Sequence, residues 1–162
     1  MEIIIFGDTH TDSYAHLPEQ LRKLMVQADV LIHTGDWDTL SLFEAVSHLG
    51  IPLYSAAGNT DPPELHARLG SSQRFQAAGR SFGVVHGHEG HGKTTEERAK
   101  RWFNDMMPDF VCFGHSHIPY LRYHGQTLLL NPGSAMYRRK MPYRSAIQLR
   151  LKPSLEVRHV FL

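Results

Sequence analysis

Ile3-Ile4-Ile5-Phe6-Gly7-Asp8-Thr9-His10 carries four apolar residues straight into an aspartate and a histidine. A short apolar run closed by glycine reads as a strand buried on both faces, the habit of parallel sheets. The same event recurs four times along the chain. Val30-Leu31-Ile32-His33-Thr34-Gly35 leads to Asp36, Leu53-Tyr54-Ser55-Ala56-Ala57-Gly58 to Asn59, Gly83-Val84-Val85 to His86-Gly87-His88, and Val111-Cys112-Phe113-Gly114 to His115-Ser116-His117. In an open α/β sheet, residues just past the carboxyl ends of parallel strands converge on one crevice. Five motifs distant in sequence therefore meet at one place.

Working outward, strands are expected at 3–6, 30–33, 53–57, 82–85 and 110–113. Between the first two, Leu17, Leu21, Leu24, Met25 and Ala28 recur at helical spacing, with Pro18 suited to the first turn. A second helix is expected over 39–49, stopping at Gly50, and a short third after Pro63. Before the fifth strand, Ala99, Trp102, Phe103 and Met106 share one helical face, with Thr94 and Glu97 as a capping box and Pro108 as the stop. After His117 the pattern alternates, over 120–123, 127–130, 146–151 and 155–161, with Gly125 and Lys152-Pro153-Ser154 as turns. These are antiparallel hairpins. The expected architecture is two sheets face to face, one mostly parallel and one mostly antiparallel, with helices outside.

The 162 residues fit a single domain, and a 41% hydrophobic content is enough for a core. Lys and Arg number 17 against 16 Asp and Glu, a balance that excludes a dedicated nucleic-acid binder. The only cysteine is Cys112, so neither an intramolecular disulfide nor a thiolate-rich metal site can form, and a reducing cytoplasm is the expected compartment. The opening apolar run is too short for a membrane span and lacks the basic start of a leader, so a protein free of the membrane is expected. The compositional oddity is 12 histidines.

Singly, each motif has a plain reading: Gly-Asp is a common turn, and His86 or His115 alone is an ordinary core histidine. Together they would crowd four histidines, two aspartates and an asparagine at one sheet edge without partners, a costly arrangement away from water. Metal resolves that cost. Asp8, His10, Asp36, Asn59, His86, His115 and His117 offer seven side-chain ligands, whereas a catalytic tetrahedral site uses three. Two divalent ions sharing a carboxylate use them economically. Imidazole with carboxylate oxygen suits manganese, the first choice, or iron, zinc or nickel. Such a pair facing two aspartates retains positive charge for a phosphate oxygen and for a water of lowered pKa, the nucleophile of an in-line displacement.

Gly7-Asp8-Thr9-His10, Gly35-Asp36, Gly58-Asn59-Thr60-Asp61, His86-Gly87-His88 and Gly114-His115-Ser116-His117 resemble, in order, the five blocks of the calcineurin-like metallophosphoesterases. Asn131-Pro132-Gly133-Ser134 and the short length are similar to that family's small prokaryotic phosphodiesterase branch. The resemblance implies an αββα sandwich in which Asp8, His10 and His117 hold one metal, Asn59, His86 and His115 the other, and Asp36 bridges them. A small phosphoester, a nucleotide among the possibilities, is the substrate it implies. In the family's phosphatases a histidine follows the metal-binding asparagine and assists the leaving group; here that position is Thr60. Asn59, Thr60 and His88 are accordingly the residues expected to act on substrate, with His88 either lining the pocket or lying at the surface.

Three further features admit two readings each. Asp61 either orients a ligand histidine or makes a turn before Pro62. Trp37 either stacks on a base or packs in the core. Tyr137-Arg138-Arg139-Lys140 with Arg144 either brings cations to a phosphate or forms a solvated loop. His33 reads as structural. Two rival functions are weaker. The family includes a retromer subunit that serves as a scaffold, but here every ligand position is filled, and no His-Glu-x-x-His pair marks a peptidase.

Overall fold

A computed structural model describes residues 1–162. The apolar runs become β1 (Glu2–Phe6), β2 (Val30–His33), β3 (Leu53–Ser55), β5 (Arg80–Val85) and β6 (Phe110–Cys112). β4 (Ser72–Ala77), β7 (Tyr120–His124), β8 (Thr127–Asn131), β9 (Ser145–Arg150) and β10 (Glu156–Phe161) complete two five-stranded sheets. The helices are α1 (Glu19–Met25), α2 (Leu40–Ser47), α3 (Pro63–Leu69) and α4 (Thr95–Trp102).

One sheet runs β10-β9-β1-β2-β3 and the other β4-β5-β6-β8-β7. Because side chains alternate along a strand, Ile3 and Ile5 of β1 point one way and Ile4 and Phe6 the other. Ile3 and Ile5 join Ile32, Val84, Phe110, Leu130, Ile147 and Leu149 in the core between the sheets. Ile4 and Phe6 instead pack with Leu21, Met25, Leu42, Val46 and Leu65 of α1, α2 and α3. On the far side Val111 and Leu129 meet Ala99 and Phe103 in and just after α4. The four layers are thus helix, sheet, sheet, helix, the expected αββα sandwich. The first three helices cover one face and α4 the other.

Within that sandwich the strands are shared out differently from expectation. Each sheet has two parallel and two antiparallel pairings: β1 with β2 and β2 with β3 in the first, β5 with β6 and β6 with β8 in the second. β9 returns across the molecule to pair with β1, placing Glu2 opposite Arg150 and Ile5 opposite Ile147. The antiparallel hairpins therefore extend both sheets instead of building one of their own.

β4 was not anticipated. Ser72-Gln73-Arg74-Phe75-Gln76-Ala77 shows no clean alternation because it is an edge strand paired only to β5, through a turn in which Ala78 and Gly79 both take positive φ (49° and 78°). Phe75 nevertheless anchors it. Its ring stacks between Tyr54 (3.6 Å) and Phe82 (4.8 Å), and Phe82 stacks in turn on Phe110 (4.7 Å).

α4 stops at Trp102 instead of running to Pro108, and Met106 is 70% exposed, off the apolar face assigned to it. Arg74 draws this stretch to β4 by donating to the Asp105 carboxylate (2.8 Å) and the Met106 carbonyl. At the other end Thr94 Oγ1 accepts from the Glu97 amide (3.3 Å), while the Glu97 carboxylate reaches past Thr94 to the Lys93 amide (2.8 Å). No helix is long and apolar enough to cross a membrane.

Candidate metal centre

The carboxyl ends of β1, β2, β3, β5 and β6 meet at one rim, and the seven expected residues meet with them. Five of the seven, Asp8, His10, Asp36, His115 and His117, take left-handed backbone, with φ between 42° and 65°. For residues with a β-carbon such geometry costs roughly 1–3 kcal/mol each and persists only where the surroundings impose it. The turns are also crowded. A β-carbon on Gly58 would lie 2.1 Å from Asp36 Oδ1, so only glycine lets the Asn59 loop approach that carboxylate.

Two clusters result. Asp8, His10, Asp36 and His117 place their ligand atoms within 4.8 Å of one another, and so do Asp36, His86 and His115. Asp36 belongs to both. His10 Nε2 lies 3.5 Å and His86 Nε2 3.2 Å from Asp36 Oδ2, and His117 Nε2 is 3.2 Å from Asp8 Oδ1. Asn59 Oδ1 stands between His86 Nε2 (3.2 Å) and His115 Nδ1 (3.0 Å).

Groups outside the clusters fix how three of the rings face. His10 Nδ1 donates to the Asp38 carboxylate (3.1 Å), His86 Nδ1 to the Thr34 carbonyl (2.7 Å) and His117 Nδ1 to the Tyr137 carbonyl (3.2 Å). Carbonyls and carboxylates only accept, so each neutral ring carries its proton on Nδ1 and turns a bare Nε2 lone pair inward. His10 Nε2 and His117 Nε2 then face each other at 3.3 Å, and His86 Nε2 faces carboxylate and amide oxygens. Acceptors oppose acceptors. No lysine or arginine pairs with Asp8 or Asp36, both almost wholly buried, so the donor set fits divalent cations.

When protonated, His86 would instead donate Nε2–H to Asp36, and that charged form competes with the metal-ready one. Burial opposes ionisation of Asp36, but the hydrogen bond and charge of His86, with the Thr60 amide, hold its carboxyl far below the usual range. Burial, reinforced by the nearby His86 charge, pushes His115 down to about 4, leaving a neutral ring able to ligate. For His86 burial acts downward, yet the Asp36 hydrogen bond and the Asp8 and Asp36 charges outweigh it and raise the pKa.

The supporting residues sort as follows. His33 is fully buried, accepting from the Gly35 amide at Nδ1 (3.2 Å) and meeting Thr9 Oγ1 at Nε2 (3.1 Å), and is structural as expected. Trp37 is also fully buried, stacked on His33 at 3.5 Å and donating Nε1 to Ser55 Oγ (3.0 Å), so it packs and cannot reach a substrate base. Asp61 touches no ligand histidine. Its carboxylate accepts from the amides of Trp37, Asp38 and Gly58, tying the Asp36 loop to the Asn59 loop.

Asn131 at the end of β8 and Ser134 in the loop after it brace the rim. Asn131 donates Nδ2 to the Gly114 carbonyl (2.9 Å), and Ser134 donates its hydroxyl to the Asp8 carbonyl (2.7 Å). His88 lies beside the second cluster, its ring 5.2 Å from His86 and 6.1 Å from His115, with a buried Nδ1 that has no partner. Asp38 escaped the sequence reading, although its place two residues after Asp36 was a signal. It holds both His10 and the Thr60 hydroxyl.

Comparison with known proteins places this geometry. The model of the calcineurin-like phosphoesterase superfamily domain matches residues 1–152. The chain belongs to that superfamily. With curated relatives named as probable metallophosphoesterases, this makes the chain a metal-dependent phosphoric ester hydrolase, and its αββα sandwich is the superfamily's fold. A Methanocaldococcus jannaschii protein named as a probable metallophosphoesterase is 26% identical, covering 98% of this chain and 80% of its own. Among solved structures, a mutant Vps29 from Entamoeba histolytica superposes with a TM-score of 0.78 at 19% identity, covering 100% of this chain and 99% of that one. A structure described as a novel archaeal phosphodiesterase superposes at 0.73 with 21% identity, covering 100% of both chains. These two superpositions show the shared fold.

Asp38 yields a test within this network. Asp38→Ala leaves His10 Nδ1 without its acceptor and frees the ring to turn. Calorimetric titration with Mn²⁺ is expected to show affinity lower by roughly 10–100-fold, the usual cost of losing a group that orients a ligand histidine. Affinity within twofold of the parent would show that Asp38 does not orient His10.

Proposed function

We propose that the protein is a dinuclear metal-dependent phosphodiesterase acting on small phosphoesters in the cytoplasm. The observation that carries this reading is the pair of imidazole lone pairs 3.3 Å apart on His10 and His117, beside a carboxylate shared by two clusters. Two divalent ions bound there, manganese first and iron, zinc or nickel as alternatives, would supply Lewis-acid charge for phosphoryl oxygens and an activated water. Asp8, His10 and His117 hold one ion in this reading, Asn59, His86 and His115 the other, and Asp36 both.

The remaining chemistry belongs to the chain. With Oδ1 turned to the two imidazoles, Asn59 keeps its amide hydrogens for a phosphoryl oxygen. His88 Nδ1, buried without a partner, is available to the same phosphate. Thr60 donates its amide to Asp36 Oδ1 (3.1 Å) and its hydroxyl to Asp38, so it steadies the centre and supplies no acid to a departing alcohol. Without that acid, hydrolysis favours diesters with stable leaving groups over alkyl monoesters, since a placed acid contributes roughly 10²–10⁴ in rate. Protein carrying no metal after purification in manganese, and inert to phosphoesters, would return the chain to a scaffold.

Asp36→Asn is expected to reduce bound metal at both positions, because one carboxylate serves each cluster and its charge offsets the repulsion between ions. His117→Ala should deplete mainly one. Elemental analysis of both variants decides, and retention of one full equivalent by Asp36→Asn would argue against sharing.

Acid should release metal, because ligand histidines bind only when neutral. With its pKa raised, His86 takes up a proton before His115, which is held down to about 4 and stays neutral until later. Affinity and activity are therefore expected to decline together as pH falls, the decline beginning above the value near 6.5 where free imidazole titrates, because the His86 pKa is raised. Turnover below about pH 5 by metal-free protein would end the metal hypothesis.

Thr60→His restores an imidazole next to Asn59 and is expected to raise monoesterase relative to diesterase activity. The comparison is kcat/KM for matched 4-nitrophenyl mono- and diesters on both proteins. A parent enzyme that already favours the monoester would refute the argument from Thr60.

A further inference from the structure

A hollow of about 410 Å³ opens beside the centre, lined by His10, Asp38, His117, Tyr137 and Arg139. Three of these are committed elsewhere: His10 and His117 turn their Nε2 atoms toward each other, and Asp38 holds His10 and Thr60. Tyr137 and Arg139 are not.

The backbone of Tyr137 is pinned to the centre. Its carbonyl accepts from His117 Nδ1 (3.2 Å) and its amide donates to Ser134 Oγ (2.8 Å). Its ring stands edge-on to His10, centroids 5.5 Å apart at 80°, and 53% of the residue stays exposed. An aromatic face is therefore open beside the hollow. Arg139 has a φ of 44°, a conformation arginine rarely adopts. Its neighbour Arg138 turns away to the Pro142 carbonyl, while the Arg139 guanidinium has neither ion pair nor hydrogen bond in the protein.

A free guanidinium fork matches phosphate or carboxylate, and an aromatic face matches a ring. Both stand on the His10 and His117 side of the centre, away from Asn59 and His88. A diester of a small alcohol would leave them idle. A nucleoside carrying a further phosphate engages both.

We propose that this hollow seats the ester group that is retained on the phosphorus, and that it selects short nucleotide diesters bearing a second phosphate, the base against Tyr137 and that phosphate on Arg139. The inference rests on the phosphodiesterase reading above. A net charge of +1 and a single arginine at the hollow favour a short nucleotide over a polymer, which would require a basic track along its backbone.

Three diesters of 4-nitrophenyl phosphate share a leaving group and differ in the retained ester: methyl, thymidine 5′, and thymidine 5′ with a 3′-phosphate. On manganese-loaded protein kcat/KM is expected to rise in that order, mainly through KM. Arg139→Gly, which suits the left-handed backbone while deleting the charge, should lower the preference for the 3′-phosphate roughly 10–100-fold, and Arg139→Lys should restore part of it. Tyr137→Leu should lower the preference for thymidine over methyl about 10-fold.

Calorimetric binding of thymidine 3′,5′-bisphosphate to each protein, alongside its manganese content, reads the same contacts where a variant loses turnover. If all three esters are hydrolysed but the preferences and bisphosphate affinity do not move in the variants, the subsite is overturned and the phosphodiesterase stands. If the parent hydrolyses none of the three, both readings fall.

Discussion

Four imidazoles, two carboxylates and one amide oxygen are packed at the joint rim of two sheets with no lysine or arginine among them. Each neutral acceptor pointed at another costs free energy once water is removed, on the order of 1–3 kcal/mol for a group left unsatisfied. The backbone adds to the cost, since five of these residues sit in left-handed turns. A sandwich with a dry core on both faces of each sheet can bear such local expense. The arrangement makes physical sense when positive charge fills the gap between the lone pairs, and the family's dependence on metal supplies that charge.

The histidines are aimed from behind. Thr34, Asp38 and Tyr137 each take an Nδ1 proton, and two of these acceptors are main-chain carbonyls held by the fold itself. His115 differs, presenting Nδ1 to Asn59. Further out, Asp61 ties the loop after β2 to the loop after β3, while Asn131 ties the end of β6 to β8 and Ser134 ties the end of β1 to the loop after β8. Both sheets thus hold the centre, and a change in either should be felt there.

Asp38 links positioning to chemistry. By holding His10 and the Thr60 hydroxyl together, it makes the residue beside Asn59 part of the support for the first cluster. The Thr60 hydroxyl is thereby committed to the Asp38 carboxylate. The hollow on the His10 and His117 side presents a different surface, with the Tyr137 ring and the Arg139 guanidinium.

The sequence by itself determined the buried strands and all seven converging residues, because an apolar run that ends in glycine and a polar side chain is a local pattern. It also determined the helix, sheet, sheet, helix layering, since β1 and β2 are apolar on both faces. The partition of strands between the sheets was decided only in three dimensions. β9 could join either sheet by pattern, and pairing with β1 depends on where the chain returns. β4 was hidden because an edge strand needs no alternation, and Met106 left its assigned face because Arg74 of that strand holds the preceding segment. Trp37 was ambiguous until burial against His33 closed it off from substrate. The Thr34 and Tyr137 carbonyls were illegible for a deeper reason: every residue has a carbonyl, so its role as a proton acceptor is written in position and not in side-chain identity.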